Sequence, residues 1–71
     1  MDPLTEMHLL LREHGWEPEN NRSAYLWTRA GCPKQIQTFR VGNLTEWLAF
    51  PGGRLSQGVT SLRKRLKQLA K

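Results

Sequence analysis

The sequence predicts a single small α+β domain in the order α-β-β-β-α, with a three-stranded antiparallel sheet and two helices on one of its faces. Three observations carry this reading. Apolar residues recur at helical spacing near both ends, over Leu4, Met7 and Leu11 and again over Val59, Leu62, Leu66 and Leu69. Between them lie three segments rich in aromatic and β-branched residues, punctuated by Gly, Pro and Asn. A chain of 71 residues buries one thin core and no deep cleft, and helices layered over a sheet are the natural way to build it.

Residues 2–14 read as the first helix. Asp2 is placed to cap it, Pro3 suits the first helical position, where a missing N–H costs nothing, and Glu6 suits the positive end of the helix dipole. Leu10 joins the apolar stripe, and Gly15 is a stop signal just past His14. Trp16 is expected to fold back onto this helix. Residues 17–22, with Pro18 and Asn20-Asn21, read as a loop. Strands are expected over residues 24–29, 35–41 and 44–50. Residues 30–34 form a turn, and Gly42-Asn43 forms a tight hairpin turn. Pro51-Gly52-Gly53 ends the sheet, and residues 55–58 lead into a last helix over 59–70, with Ser56 as a candidate cap.

Two helices on one sheet face leave the other open, and alternation divides the side chains between them. The simplest assignment puts Leu26, Leu44, Leu48 and Phe50 under the helices and leaves Tyr25, Trp27 and Trp47 on the open face. There the three aromatics would stack on bases or meet a protein partner. The reverse assignment makes the tryptophans core. The middle segment does not decide, because Phe39 and Val41 share one face and Ile36 takes the other.

The net charge is +5, and it is unevenly spread. Residues 1–20 hold five acids (Asp2, Glu6, Glu13, Glu17, Glu19) and one Arg, whereas residues 54–71 hold six bases and no acid. The six are Arg54, Arg63, Lys64, Arg65, Lys67 and Lys71. At 100° per residue Lys64, Lys67 and Lys71 lie opposite the apolar stripe of the last helix, and Arg63 and Arg65 flank it. Such a cluster attracts polyanions, or is simply a solvated helix face. Gly52-Gly53-Arg54 is a weak phosphate-approach signal whose ordinary reading is a connection between the sheet and the last helix.

Other chemistry is poorly supported. The one cysteine, Cys32, allows neither an intramolecular disulfide nor a cysteine metal cluster, and points to a reducing cytoplasm. His8 and His14 lie about 240° apart around one helix, so they do not share a metal site, and no cofactor motif is present. His14 is better placed to satisfy the last helical carbonyls than to catalyse. Ser23, Ser56 and Ser61 lack a nucleophile-elbow motif. The N-terminus lacks a basic signal-peptide region, and no apolar run approaches the ~20 residues of a membrane span.

Two stretches carry a family resemblance. Leu9-Leu10-Leu11-Arg12-Glu13-His14-Gly15-Trp16, a short helix ending in Gly-Trp, is similar to the opening of HicA-type mRNA interferase toxins. The close, from Phe50-Pro51-Gly52-Gly53-Arg54 through Gly58 to the basic run Arg63-Lys64-Arg65-Leu66-Lys67, resembles that family's last strand, loop, glycine and basic helix. The resemblance covers roughly half the chain. It implies a fold like a small double-stranded-RNA-binding domain, RNA cleavage by a His at the start of a central strand, and an antitoxin as partner. Ser23-Ala24-Tyr25 or Gln35-Ile36-Gln37 would occupy that place, and neither contains His, so no catalytic residue carries over.

Three functions follow as expectations. The first is a non-catalytic, cytoplasmic module that grips the phosphate backbone of RNA or DNA through Arg54, Arg63, Lys64, Arg65, Lys67 and Lys71. The second is a protein-contact module, such as a phage or plasmid factor that binds a host protein through Tyr25, Trp27 and Trp47. The third is a HicA-like ribonuclease with displaced chemistry.

Overall fold

The computed structural model describes residues 2–19 and 25–70. Along the chain it places α1 (Pro3–Glu13), β1 (Glu17–Glu19), β2 (Tyr25–Thr28), β3 (Gln35–Val41), β4 (Leu44–Phe50), β5 (Leu55–Gln57) and α2 (Val59–Leu69). The strands form one antiparallel meander in the order β1-β2-β3-β4-β5. The α+β class and both helices agree with the sequence reading, but the sheet has five strands rather than three. The segment expected to be a loop contains β1, and Pro51-Gly52-Gly53 turns the chain into β5 instead of ending the sheet. Both extra strands are three residues long and sit on edges. An edge strand needs partners on one side only, so a segment with Pro18 at its centre is tolerated there.

The first helix ends as its residues predict. Gly15 adopts φ 86°, the left-handed conformation that closes a helix. Its N–H reaches the Arg12 carbonyl at 3.1 Å, and the Trp16 N–H reaches the Leu11 carbonyl at 3.0 Å. This pair of bonds is a Schellman cap, and it throws Trp16 back onto the core, where it is 1% exposed. His14 Nδ1 lies 2.9 Å from the Leu10 carbonyl, the local role expected of it. Asp2 occupies the cap position without capping. Its carboxylate instead meets Arg40 of β3 at the surface, tying the start of α1 to the sheet.

Register settles the two faces of the sheet. Trp27 pairs with Ile36 and Ile36 with Ala49, while Thr38 pairs with Trp47. Residues directly opposite point the same way, so these five share one face. All five are buried, with Met7, Leu10 and Leu11 of α1 and Leu62 and Leu66 of α2 above them. The simplest assignment made from the sequence is therefore inverted: Trp27 and Trp47 are core, and Leu26, Leu44, Leu48 and Phe50 lie on the open face. Two tryptophans bury roughly 150–250 Å² each, more than leucines in the same places. Both also find a polar partner inside: Trp27 Nε1 donates to Thr38 Oγ1 at 3.1 Å and Trp47 Nε1 to Ser61 Oγ at 3.0 Å.

Candidate nucleic-acid interface

The last helix is held at its start and at its end. Ser61 accepts the Trp47 indole N–H and directs its own hydroxyl at the Gln57 and Gly58 carbonyls, at 2.6 and 3.0 Å. A buried residue of β4 thereby positions the first turn of α2. Gly58, at φ 86°, takes the turn that leads in, and no side chain caps the helix. Ser56, the expected cap, donates to the Arg54 carbonyl instead. At the far end Arg29 reaches the Leu69 carbonyl at 3.5 Å.

With Leu62 and Leu66 turned into the core, helical spacing puts Thr60, Lys64, Lys67 and Gln68 on the outer face, and all four are exposed. Lys64 and Lys67 are one turn apart and neighbours on that face. Arg65 lies on one flank, partly buried, with Nη1 donating to Gln68 Oε1 at 2.9 Å. Arg63 lies on the other flank and lines a groove of about 280 Å³ between the helices, together with Glu6, Leu9, Leu10, Glu13 and Val59. Arg63 is exposed and shares that groove with the two acids of α1. Arg54 is exposed at the entrance to β5. Lys71 lies outside the described residues. Among the described residues the one ion pair within 4.0 Å is Arg40 with Asp2, so none of these helix and loop bases is neutralised by a close carboxylate.

Gly52 and Gly53 serve the backbone. Gly52 has φ 87°, and a Cβ on Gly53 would stand 1.8 Å from the Ala49 carbonyl oxygen. The pair lets β4 fold onto β5 at close range, which accounts for the glycines without a bound phosphate.

A second polar cluster escaped the sequence reading. Thr38, fully buried in β3, meets His8 of α1, with Nε2 3.1 Å from Oγ1. The Trp27 N–H fills one acceptor site on that hydroxyl, and the contact with His8 completes a chain from indole to hydroxyl to imidazole whose second bond takes its direction from the imidazole tautomer. The ring also packs edge-on against Tyr25, with centroids 4.5 Å apart. Burial first, and the Arg12 charge second, push the His8 pKa below its ordinary value, against an opposing pull from Asp2. Tyr25 thus stays partly exposed but is engaged with α1 on the helix side of the sheet. The signal in the sequence was a threonine two residues from Ile36 on a strand: a hydroxyl at an inward position needs a partner.

Among the described residues no group of three His, Cys, Asp or Glu side chains is gathered to hold a metal ion, and no helix is long and apolar enough to cross a membrane. Comparison with family models, with curated proteins and with solved structures found no match.

Proposed function

We propose that the chain is a nucleic-acid-binding module that grips a phosphate backbone with the outer face of α2 and its entry loop, and that it binds without cutting. The observation that carries this reading is the pair Lys64 and Lys67, exposed side by side on a helix whose other face is core, with no carboxylate close to them among the described residues. Arg65 and Arg54 extend the positive surface, Arg63 adds to it from the groove edge, and Lys71 continues the basic run in sequence. The helix is about 16 Å long at 1.5 Å per residue, long enough to lie against several successive phosphates. The likeness of both ends to HicA-type toxins, and through them to a double-stranded-RNA-binding domain, supports RNA as the first ligand to test. Double-stranded RNA is recognised in such folds mainly by shape and backbone. Binding is favoured over cleavage because the central segments hold no His, and because His8 Nε2 is taken up by Thr38. The lone thiol of Cys32 suits a reducing cytoplasm.

The test is a gel-shift panel of double- and single-stranded RNA and DNA at two salt concentrations. Affinity should fall steeply with salt, in proportion to the phosphates neutralised. Binding that ignores salt, or none at low salt, would refute the reading.

A further inference from the structure

The two ends of the sheet differ in charge, and the register shows which bases stand together. Gln35 pairs with Phe50, so the β2–β3 loop (residues 29–34) and the β4–β5 turn (residues 51–54) lie at one end. The hairpin at Gly42-Asn43 marks the other. The Gly58 N–H reaches the Thr45 carbonyl at 3.1 Å, which starts α2 at the hairpin end. Arg29 reaches the Leu69 carbonyl at the loop end, so α2 runs back along the sheet toward the β4–β5 turn. Arg54 therefore stands toward the last turns of α2, although it precedes that helix in the chain.

At the loop end Lys34 is held in place. Its Nζ donates to the Pro51 carbonyl at 2.6 Å and lies 3.7 Å from the point where a Cβ on Gly52 would stand. The bond fastens the ammonium over the β4–β5 turn. An ammonium carries three donors, and the carbonyl takes one of them. Among the described residues no carboxylate lies within 4.0 Å of it. A charge already fixed, with free donors and no counter-ion from the chain, loses little side-chain entropy when an anion arrives.

We propose that Lys34 is a phosphate-binding residue, and that the nucleic-acid backbone crosses this end of the molecule. It runs from Lys64 and Lys67 on the outer face of α2 to Lys34 and Arg54 at the β4–β5 turn. This rests on the nucleic-acid reading above and locates its site. Charge decides between the two ends. The first turn of α2 carries no base, and Asn43, Leu44, Thr45, Gln57 and Gly58 around it are uncharged. At the loop end the acids Glu13 and Glu17 belong to α1 and β1, and β1 is the sheet edge opposite β5. Arg29 answers the Leu69 carbonyl, so the negative end of the helix dipole does not meet the phosphates bare. β3 and β5 lie on either side of β4, which puts the starts of the two strands roughly 10 Å apart. One strand of a duplex presents about three phosphates over that distance, so Lys34 and Arg54 count as separate contacts.

Fluorescence anisotropy with labelled RNA and DNA, each as a duplex and as a single strand, over a series of potassium chloride concentrations tests the proposal. Every effect is read on the probe that wild type binds most tightly. Lys34→Gln keeps a donor for the Pro51 carbonyl and removes the charge. It should weaken binding about fivefold near physiological salt and lower the salt slope by about one, the effect of one lost phosphate contact. Arg54→Gln should match it, and Lys34→Arg should stay near wild type. Arg40→Gln removes an exposed base at the hairpin end and should change neither quantity. Thermal melting followed by circular dichroism shows that each variant is folded. A Lys34→Gln variant with wild-type slope overturns this proposal and leaves the nucleic-acid reading standing. So does a loss at Arg40→Gln as large as that at Lys34→Gln. A wild type that binds none of the four probes refutes both.

Discussion

His8 on α1 and Thr38 in the middle of the sheet are joined through Nε2 and Oγ1 at 3.1 Å. The Thr38 hydroxyl is fully buried and already accepts the Trp27 N–H. His8 is its other side-chain partner among the described residues, and burial favours the neutral imidazole there. The contact ties helix, sheet and indole into one polar chain inside the core.

The first prediction is a loss of stability on acidification through this histidine. Its folded pKa lies below the ordinary value of 6.5. Above that pH the ring is neutral in both states and the contact contributes fully. Below it the unfolded chain takes up a proton that the folded protein resists, so stability falls with pH until the folded pKa is passed. Denaturant melts between pH 7 and 5 should show this slope in wild type, and His8→Gln, which keeps an acceptor but does not titrate, should flatten it.

Removing the hydroxyl itself should cost more than one ordinary hydrogen bond. Thr38→Val keeps the shape but strands the Trp27 N–H in the core, a loss of about 1–3 kcal/mol. Urea unfolding measures it. A variant as stable as wild type would mean that the indole finds another partner.

Tryptophan emission should report a fully interior set. Trp16, Trp27 and Trp47 are 1%, 0% and 4% exposed, so native fluorescence should be strongly blue-shifted and move to the red in one transition on unfolding. The Trp16 Nε1 has no hydrogen-bond partner among the described residues. Trp16→Phe should therefore be milder than a usual loss of core volume, because it also deletes an unsatisfied donor.

Gly53→Ala should destabilise the β4–β5 hairpin. The added methyl would meet the Ala49 carbonyl oxygen at 1.8 Å, so the backbone must move, at about 1–3 kcal/mol or more. A thermal melt checks this. Nucleic-acid affinity at a temperature where the variant is folded should change little if the glycines serve the turn alone.

Charge reversal on α2 should act on binding and not on folding. Lys64→Glu and Lys67→Glu sit on the exposed face, so melts should be unchanged. Affinity should fall similarly across sequences, and the salt slope should drop by about one for each phosphate that is no longer neutralised.

The elements whose evidence is local were readable in the chain. Leu4, Met7 and Leu11 recur every three to four residues, Gly15 closes α1, Gly42 turns the central hairpin, and β3 and β4 run over the residues expected. Periodicity and backbone preference are properties of neighbouring residues, so they are written along the sequence. The uneven charge was readable for the same reason. β1 and β5 were not, because an edge strand of three residues is made by its neighbour's hydrogen bonds rather than by its own propensity. Nor was the choice of sheet face. Alternation assigns Leu26 and Trp27 to opposite sides but is blind to which side the helices cover. Packing decided that: α1 and α2 settled over the two indoles, whose rings bury the greater area and whose N–H groups reach Thr38 and Ser61 only from that side.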